Sequence, residues 1–289
     1  MKIREKLRAK SPAFSFEFFP PKDAAGVEQL FRTVSDLERW HPDFVSVTWG
    51  AGGATRALTV ELVRRIEKET GIESMAHLTC VGASRDDIEQ VLDQLAEGGI
   101  ENVLPLRGDP PRGETLFVKP EGGFGHASEL VTFIRSQPER WNFCLAGACY
   151  PEKHPDAPDF PTDLQNLGAK VRAGVDFLVT QLFFDEADYF RFAERAKSAG
   201  IDLPILAGIM PITSVAQIKR ITALCGARIP DDLLGRLEAC ADDPDAVRAV
   251  GVAHATTQCR RLLSGGAPGI HFYTLNRSTA TIEILKALR

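Results

Sequence analysis

The stretch "DFLVTQLFFDEADYFRFAERAKSAGIDLPILAGIM", Asp176–Met210, reads as strand, helix, strand. Its two apolar runs, from Asp176 and from Pro204, are too short for helices and rich in residues that favour a buried sheet. Between them "DYFRFAERAKSAG" sets apolar residues three and four apart, the period of a helix with one buried face. The glycine of "KSAGIDLP" stands where that helix ends and the next strand begins. A strand, a crossing helix and a second strand form the unit of a parallel sheet.

The unit recurs in both directions from this stretch. Further candidate strands are "AFSFEFF" from Ala13, "DFVSVTW" from Asp43, "SMAHLTC" from Ser74, "ENVLPLR" from Glu101, "FCLAGACY" from Phe143 and "IHFYT" from Ile270. The joints "AEGGIENV" and "RAGVDF" repeat the glycine stop, and "VEQLFRTVSDLERW" repeats the helical period. Eight strands, each followed by a helix, predict an α/β fold of the (β/α)8 TIM-barrel class. A doubly wound open sheet usually needs fewer strands at this length. No Pro- or Ser-rich linker divides the chain, so residues 1–289 are expected to form a single domain. "CGARIPDDLLGRLEACADDPDAVRAV" adds an extra helical piece before the last strand. The loop 108–126 is too long for an ordinary connection, and loops of that length are usually functional or mobile.

Composition narrows the function. A net charge of −5 argues against nucleic acid as the main partner, which would need a basic footprint. No run of about 18 apolar residues occurs, and "MKIREKLRAKSPAF" lacks a signal-peptide core, so no membrane partner and a cytoplasmic location are expected. None of the six cysteines forms a C-x-x-C pair, and buried free thiols are the default reading. The sequence leaves a homo-oligomer open.

In this fold chemistry gathers where strands exit into βα loops. Those exits carry Glu17, Thr48 and Trp49, His77, Arg107 with Asp109, Tyr150, Gln181 and, after the last strand, Arg277. Glu17 stands out, because "FSFEFFPPK" sets it among phenylalanines. An acid held among rings without a partner either changes its protonation state or costs several kcal/mol. A bland alternative is a half-exposed strand with Glu17 on its wet face. His77, Asp109 and His154 could serve a metal, but no H-x-H leaves the first strand and no H-E-x-x-H helix occurs, so none is expected. A G-x-S-x-G elbow, a strand-end lysine and a G-x-G-x-x-G turn are also missing. These residues alone indicate a barrel enzyme with a polar mouth and name no cofactor.

"SFEFFPPK", "FVSVTWGAGG", "HLTC", "LRGDPP", "YPEKHP", "TQLFFD", "GIMPI" and "HFYTLNR" follow one another in this order. Together they resemble the methylenetetrahydrofolate reductases over essentially the whole chain, ending one helix after "YTLNR". The resemblance implies a flavoprotein of one-carbon metabolism that passes hydride from NADH or NADPH to FAD, and then to methylenetetrahydrofolate, giving methyltetrahydrofolate. Glu17 matches the family's general acid, and its phenylalanine neighbours would raise its pKa above the free value of about 4.3. Asp109 matches a catalytic aspartate that hydrogen-bonds the pterin and offsets a cationic iminium ion.

For FAD, the matching positions are Trp49, Ala51, His77, Arg107, Gly108 and Asp109 in the first half of the chain. Ala127, Tyr150, His154, Ala157, Asp163, Asn166 and Lys170 follow in the second. Thr48 matches a contact to the nicotinamide nucleotide. Gln181 matches an amide that serves nicotinamide and pterin in turn, and Gln217 and Arg277 match folate contacts. The loop 108–126 would cover the cofactor. Trp49 stands where many relatives carry Tyr, Ala169 where a second basic residue is common, and Ile221 where some use Phe.

Two other readings share the barrel: a flavin-free pterin reductase or methyltransferase, and a pterin-binding subunit without chemistry of its own. Glu17 speaks against the last, since a binding module needs no general acid. No dinucleotide fingerprint is present to decide between NADH and NADPH.

Overall fold

The computed structural model describes residues 1–49, 53–110, 113–114 and 116–289. The strands are β1 (Ala13–Phe18), β2 (Phe44–Val47), β3 (Ser74–Thr79), β4 (Asn102–Leu106), β5 (Cys144–Cys149), β6 (Phe177–Thr180), β7 (Ile205–Ile209) and β8 (Gly269–Tyr273). They pair in chain order, all parallel, and β8 closes on β1. The first helices are α1 (Ile3–Ala9), α2 (Ala24–Glu38), α3 (Gly53–Thr70), α4 (Arg85–Glu97) and α5 (Ala127–Arg135). Then come α6 (Phe160–Ala173), α7 (Glu186–Ser198), α8 (Val215–Cys225), α9 (Asp231–Glu238), α10 (Pro244–Ser264) and α11 (Thr279–Leu288). A closed barrel of eight parallel strands with helices between them is a (β/α)8 TIM barrel in a single domain, and the doubly wound alternative falls.

Local chemistry explains the elements. Helix α6 starts where Asp159 accepts a hydrogen bond from the Thr162 N–H, with Pro161 in its first turn. It stops at Gly174, whose φ of 113° a side chain would strain. All eight expected strands are present, and α9 is the extra helical piece. The run from Asp176 is shorter than its apolar pattern: β6 ends at Thr180, and Leu182, Phe183 and Phe184 are buried outside the sheet. Periodicity alone cannot separate these two uses of an apolar run. Helix α1 had no signal in the sequence reading. It seals the N-terminal end of the barrel, with Ile3 buried among interior side chains and its N–H donating to Asn102 Oδ1 at 2.8 Å.

Strand alternation divides the core in two. Phe16, Phe18, Val45, Val47, Leu78, Ile270 and Phe272 pack outward against helices, with Leu30, Val34 and Leu37 of α2 in the same cluster. Phe44, Met75, Leu104, Phe177 and Leu206 fill the barrel floor with Ile3. Above that floor the inward positions of β1, β2, β3 and β8 become polar: Ser15, Glu17, Ser46, His77 and His271. Full burial of a Phe side chain is worth about 1.5–3 kcal/mol. The outward cluster therefore holds β1 firmly, and with it the acid on its other face.

Candidate active site

Glu17 sits one residue before the end of β1, paired with Ser46 of β2 and Tyr273 of β8. Its side chain is 18% exposed. Oε2 lies 3.4 Å from His77 Nε2 and 3.4 Å from His271 Nε2. Both imidazoles are buried, at 5% and 1% exposure. Behind them, His271 Nδ1 is 2.7 Å from Ser15 Oγ, and its Nε2 is 3.3 Å from Ser46 Oγ. Phe44 stacks on the His271 ring at 5.7 Å.

This geometry corrects the expected pKa of Glu17. Desolvation does push the carboxyl up, but His77, His271 and Ser46 outweigh it and hold it below the usual glutamate value. The phenylalanines do not surround the acid, because the period of two sends Phe16 and Phe18 to the helix side of the strand. Burial holds His77 below the usual histidine value, with Glu17 pulling the other way.

The turn after β8 fastens the β1 exit. Thr274 Oγ1 donates to the Glu17 carbonyl at 2.7 Å, and the Asn276 side chain brackets Phe19, accepting from its N–H at 3.0 Å and donating to its carbonyl at 2.8 Å. Leu275 and Asn276 adopt left-handed φ values of 51° and 57°, which the turn needs to present the exposed Arg277.

The exits of β4, β5 and β6 converge. The Tyr150 hydroxyl is pushed up to about 12, first by burial and then by Asp109, while a hydrogen bond with Gln181 pulls it down. Its ring meets that of His154 at 4.6 Å. Arg107 pairs with Asp156 at 2.7 Å and lies over the Phe117 ring at 5.3 Å. His154 donates its backbone N–H to Asp163 at 2.9 Å, and Lys170 Nζ donates to the Ala148 carbonyl at 2.6 Å. Gly108 has a φ of 87°, and a Cβ there would come within 2.7 Å of Val81 and 3.0 Å of Thr79.

The remaining expected positions are more dispersed. Ala127, at the first turn of α5, and Ala157 are buried, while Asn166 on α6 is exposed. Thr48 and Trp49 are half-buried, and Trp49 packs against the outward core. Gln217 on α8 is half-buried, its N–H held by the Ser214 hydroxyl at 3.3 Å. Ile221 packs with Leu182 and Met210. Ala51 and part of the loop 108–126 lie outside the described residues.

Sequence reasoning missed His271, Ser15, Ser46, Tyr273, Thr79 and Asp156. His271 and Tyr273 alternate within "IHFYT", so their shared face was legible, but not that it meets Glu17. All six cysteines are free, and burial pushes the thiols of Cys80 and Cys144 up to about 12.

The family model described as "Methylenetetrahydrofolate reductase" matches residues 2–289. The chain belongs to the methylenetetrahydrofolate reductase family. It is 37% identical over 274 residues to "5,10-methylenetetrahydrofolate reductase" of Escherichia coli K12, a match covering 95% of this chain and 90% of that one. It is 40% identical over 301 residues to "Methylenetetrahydrofolate reductase (NADH) 1" of Arabidopsis thaliana, covering 100% of this chain and 51% of the relative. The chain thus spans about half the length of the plant relatives it matches. Among solved structures, an uncharacterized Clostridium thermocellum protein that binds two copies of 5-methyl-5,6,7,8-tetrahydrofolic acid aligns with a TM-score of 0.61 at 15% identity, covering 99% of this chain and 97% of that one. Oxaloacetate acetylhydrolase aligns at 0.53 and 11% identity, covering 99% and 82%. Both share the fold. Among the described residues of this family member, no helix is long and apolar enough to cross a membrane.

Proposed function

We propose that this chain reduces 5,10-methylenetetrahydrofolate to 5-methyltetrahydrofolate, with NADH or NADPH as hydride donor and FAD as resident cofactor. The observation that carries the reading is Glu17, an acid on the inner barrel wall in contact with two imidazoles, in a chain that its family model matches throughout.

FAD, when bound, supplies the relay that accepts hydride from the nicotinamide and yields it to folate. The residues present fit such a group. On the inward face of β3, next to the inward-facing His77, Thr79 Oγ1 is buried without a hydrogen-bond partner, which asks for a ligand with a polar edge. Arg107 and Lys170 supply positive charge for anionic or polar parts, and Tyr150 with His154 supplies flat surface. Trp49, Gly108, Ala127, Ala157, Asp163 and Asn166 complete the expected cradle, with Thr48 toward the nicotinamide nucleotide.

Folate chemistry falls to the chain's own groups. An aminal carbon accepts hydride poorly, so Glu17 protonates the departing bridge nitrogen and opens the bridge to an iminium ion. The Asp109 carboxylate offsets the cation and hydrogen-bonds the pterin. The Gln181 amide serves nicotinamide and pterin in turn. Gln217 and Arg277 hold the folate, the guanidinium being suited to its acidic tail. The loop 108–126 closes over the cofactor. Arg107 lies over Phe117 of that loop, while Glu129 of α5 accepts from Lys119 at 3.0 Å and from the Gly125 N–H at 3.1 Å. Added FAD should protect this loop from limited proteolysis; equal cleavage with and without FAD refutes the cover. Six free cysteines fit a reducing compartment such as the cytoplasm.

The test is spectroscopic. Purified protein should carry a flavin band near about 450 nm. Anaerobic NADH or NADPH should bleach it, and methylenetetrahydrofolate should restore it. No flavin bound, or no recovery with folate, refutes the proposal.

A further inference from the structure

An acid that opens the folate bridge must hold a proton when folate arrives, yet the surroundings of Glu17 favour its ionised form. Three proton sites stand within one contact of each other: Glu17 Oε2, His77 Nε2 and His271 Nε2, each imidazole 3.4 Å from the carboxylate oxygen. Both imidazoles are closed off from solvent, so a proton on either reaches Glu17 without crossing water. The groups facing the trio are Ser15 of β1, Ser46 and Phe44 of β2, and Tyr273 of β8. Of these only Tyr273 is titratable. Burial keeps it neutral, and its hydroxyl donates to the Thr180 carbonyl at 2.5 Å.

We infer that Glu17, His77 and His271 form one proton-sharing cluster that takes up a proton from solvent when negative charge arrives at the barrel mouth, so that hydride delivery to the cofactor loads the acid. The inference rests on the FAD reading above. A hydride brings two electrons and one proton, so its neutral acceptor gains one negative charge. A unit charge within about 6 Å, at an effective dielectric of about 20, raises proton affinity about a hundredfold. The cycle balances. In the nicotinamide half, hydride goes to the cofactor and a proton from solvent goes to the cluster. In the folate half, the cluster's proton leaves through Glu17 to the bridge nitrogen, hydride leaves to the methylene carbon, and both sites regain their starting charge. His271 acts here as a positioning residue, its Nδ1 held by Ser15 so that its Nε2 faces the carboxylate.

The test counts protons. FAD-loaded protein is reduced anaerobically with NADH in weak buffer near pH about 7.5, with a pH-indicator dye and flavin absorbance read together. Without a coupled group this transfer consumes no proton; with about a hundredfold rise in affinity the cluster should consume up to about 0.8 per flavin bleached. The flavin potential should fall by about 60 mV per pH unit, since each proton accompanying a two-electron reduction contributes about 30 mV. His77→Gln combined with His271→Asn should cut the uptake several-fold and return the slope toward about 30 mV. Bleaching without uptake in the unaltered chain, or unchanged uptake in the double variant, overturns the inference and leaves the flavin reading standing. Failure to bind FAD, or to bleach with either NADH or NADPH, removes both. The unaltered chain alone decides the stoichiometry, so a variant that misfolds does not block the answer.

Discussion

Replacing Glu17 with glutamine keeps the volume of the side chain and removes the proton that, in the proposed reaction, opens the folate bridge. Glu17 meets His77 and His271 at 3.4 Å, beyond ordinary hydrogen-bond length, so the amide gives up only weak contacts and should cost about 1 kcal/mol of stability. The chemical loss is larger. A positioned acid contributes about 10²–10⁴-fold, or about 2.7–5.4 kcal/mol of barrier. That loss should fall on the folate half-reaction alone, because a dihydronicotinamide needs no proton from the protein to release hydride. Flavin reduction by NADH should stay within about tenfold, roughly the weight of the lost contacts. Stopped-flow absorbance separates the halves: NADH bleaches the flavin in one experiment, and methylenetetrahydrofolate restores it in the other. A urea midpoint close to that of the unaltered chain shows that the fold is intact. If both halves slow by the same factor, Glu17 is a structural residue and the assignment of acid chemistry to β1 is wrong.

Asp109→Asn should slow folate reduction more than flavin reduction, since it removes the charge that the proposed reaction sets opposite the iminium ion; an unchanged folate step removes Asp109 from the mechanism. Gly208→Ala places a Cβ 2.7 Å from the Tyr273 ring and against the Thr180 backbone, so it should destabilise by about 1–3 kcal/mol and displace Tyr273. An unaltered urea midpoint would show that the barrel interior has room there. Asp176 accepts from Arg4 at 2.9 Å, from Arg135 at 2.7 Å and from the Leu145 N–H at 2.8 Å, joining α1, α5 and β5. Asp176→Asn should cost about 2–4 kcal/mol with an unchanged m value. A shift under about 0.5 kcal/mol would mark these bonds as replaceable by water.

The element order was legible from local pattern. The eight strands, the glycine stops and the extra helix α9 each follow from periodicity and turn chemistry within a few residues. Their physical causes are local too: which face a helix buries, and where a left-handed residue is needed. Where a local pattern permits two answers the sequence reading strayed. The run after Asp176 extends its strand through Phe184, whereas β6 ends at Thr180 and the remaining rings pack outside the sheet. Asp156, the counterion of Arg107, sits in a loop with no pattern to announce it.

By itself the sequence settled the family and the barrel and set Glu17 on the first strand, because each is written in short motifs or a short period. What surrounds that acid was decided by closure of the barrel. Glu17 and His271 stand 254 residues apart, and only the pairing of β8 with β1 sets Ser15 beside His271 and Glu17 beside Tyr273. The phenylalanines next to Glu17 in the chain lie across the strand from it, while two histidines distant in the chain touch it. Chain neighbours in a strand face opposite ways, so the electrostatics of an inward side chain belong to the adjacent strands.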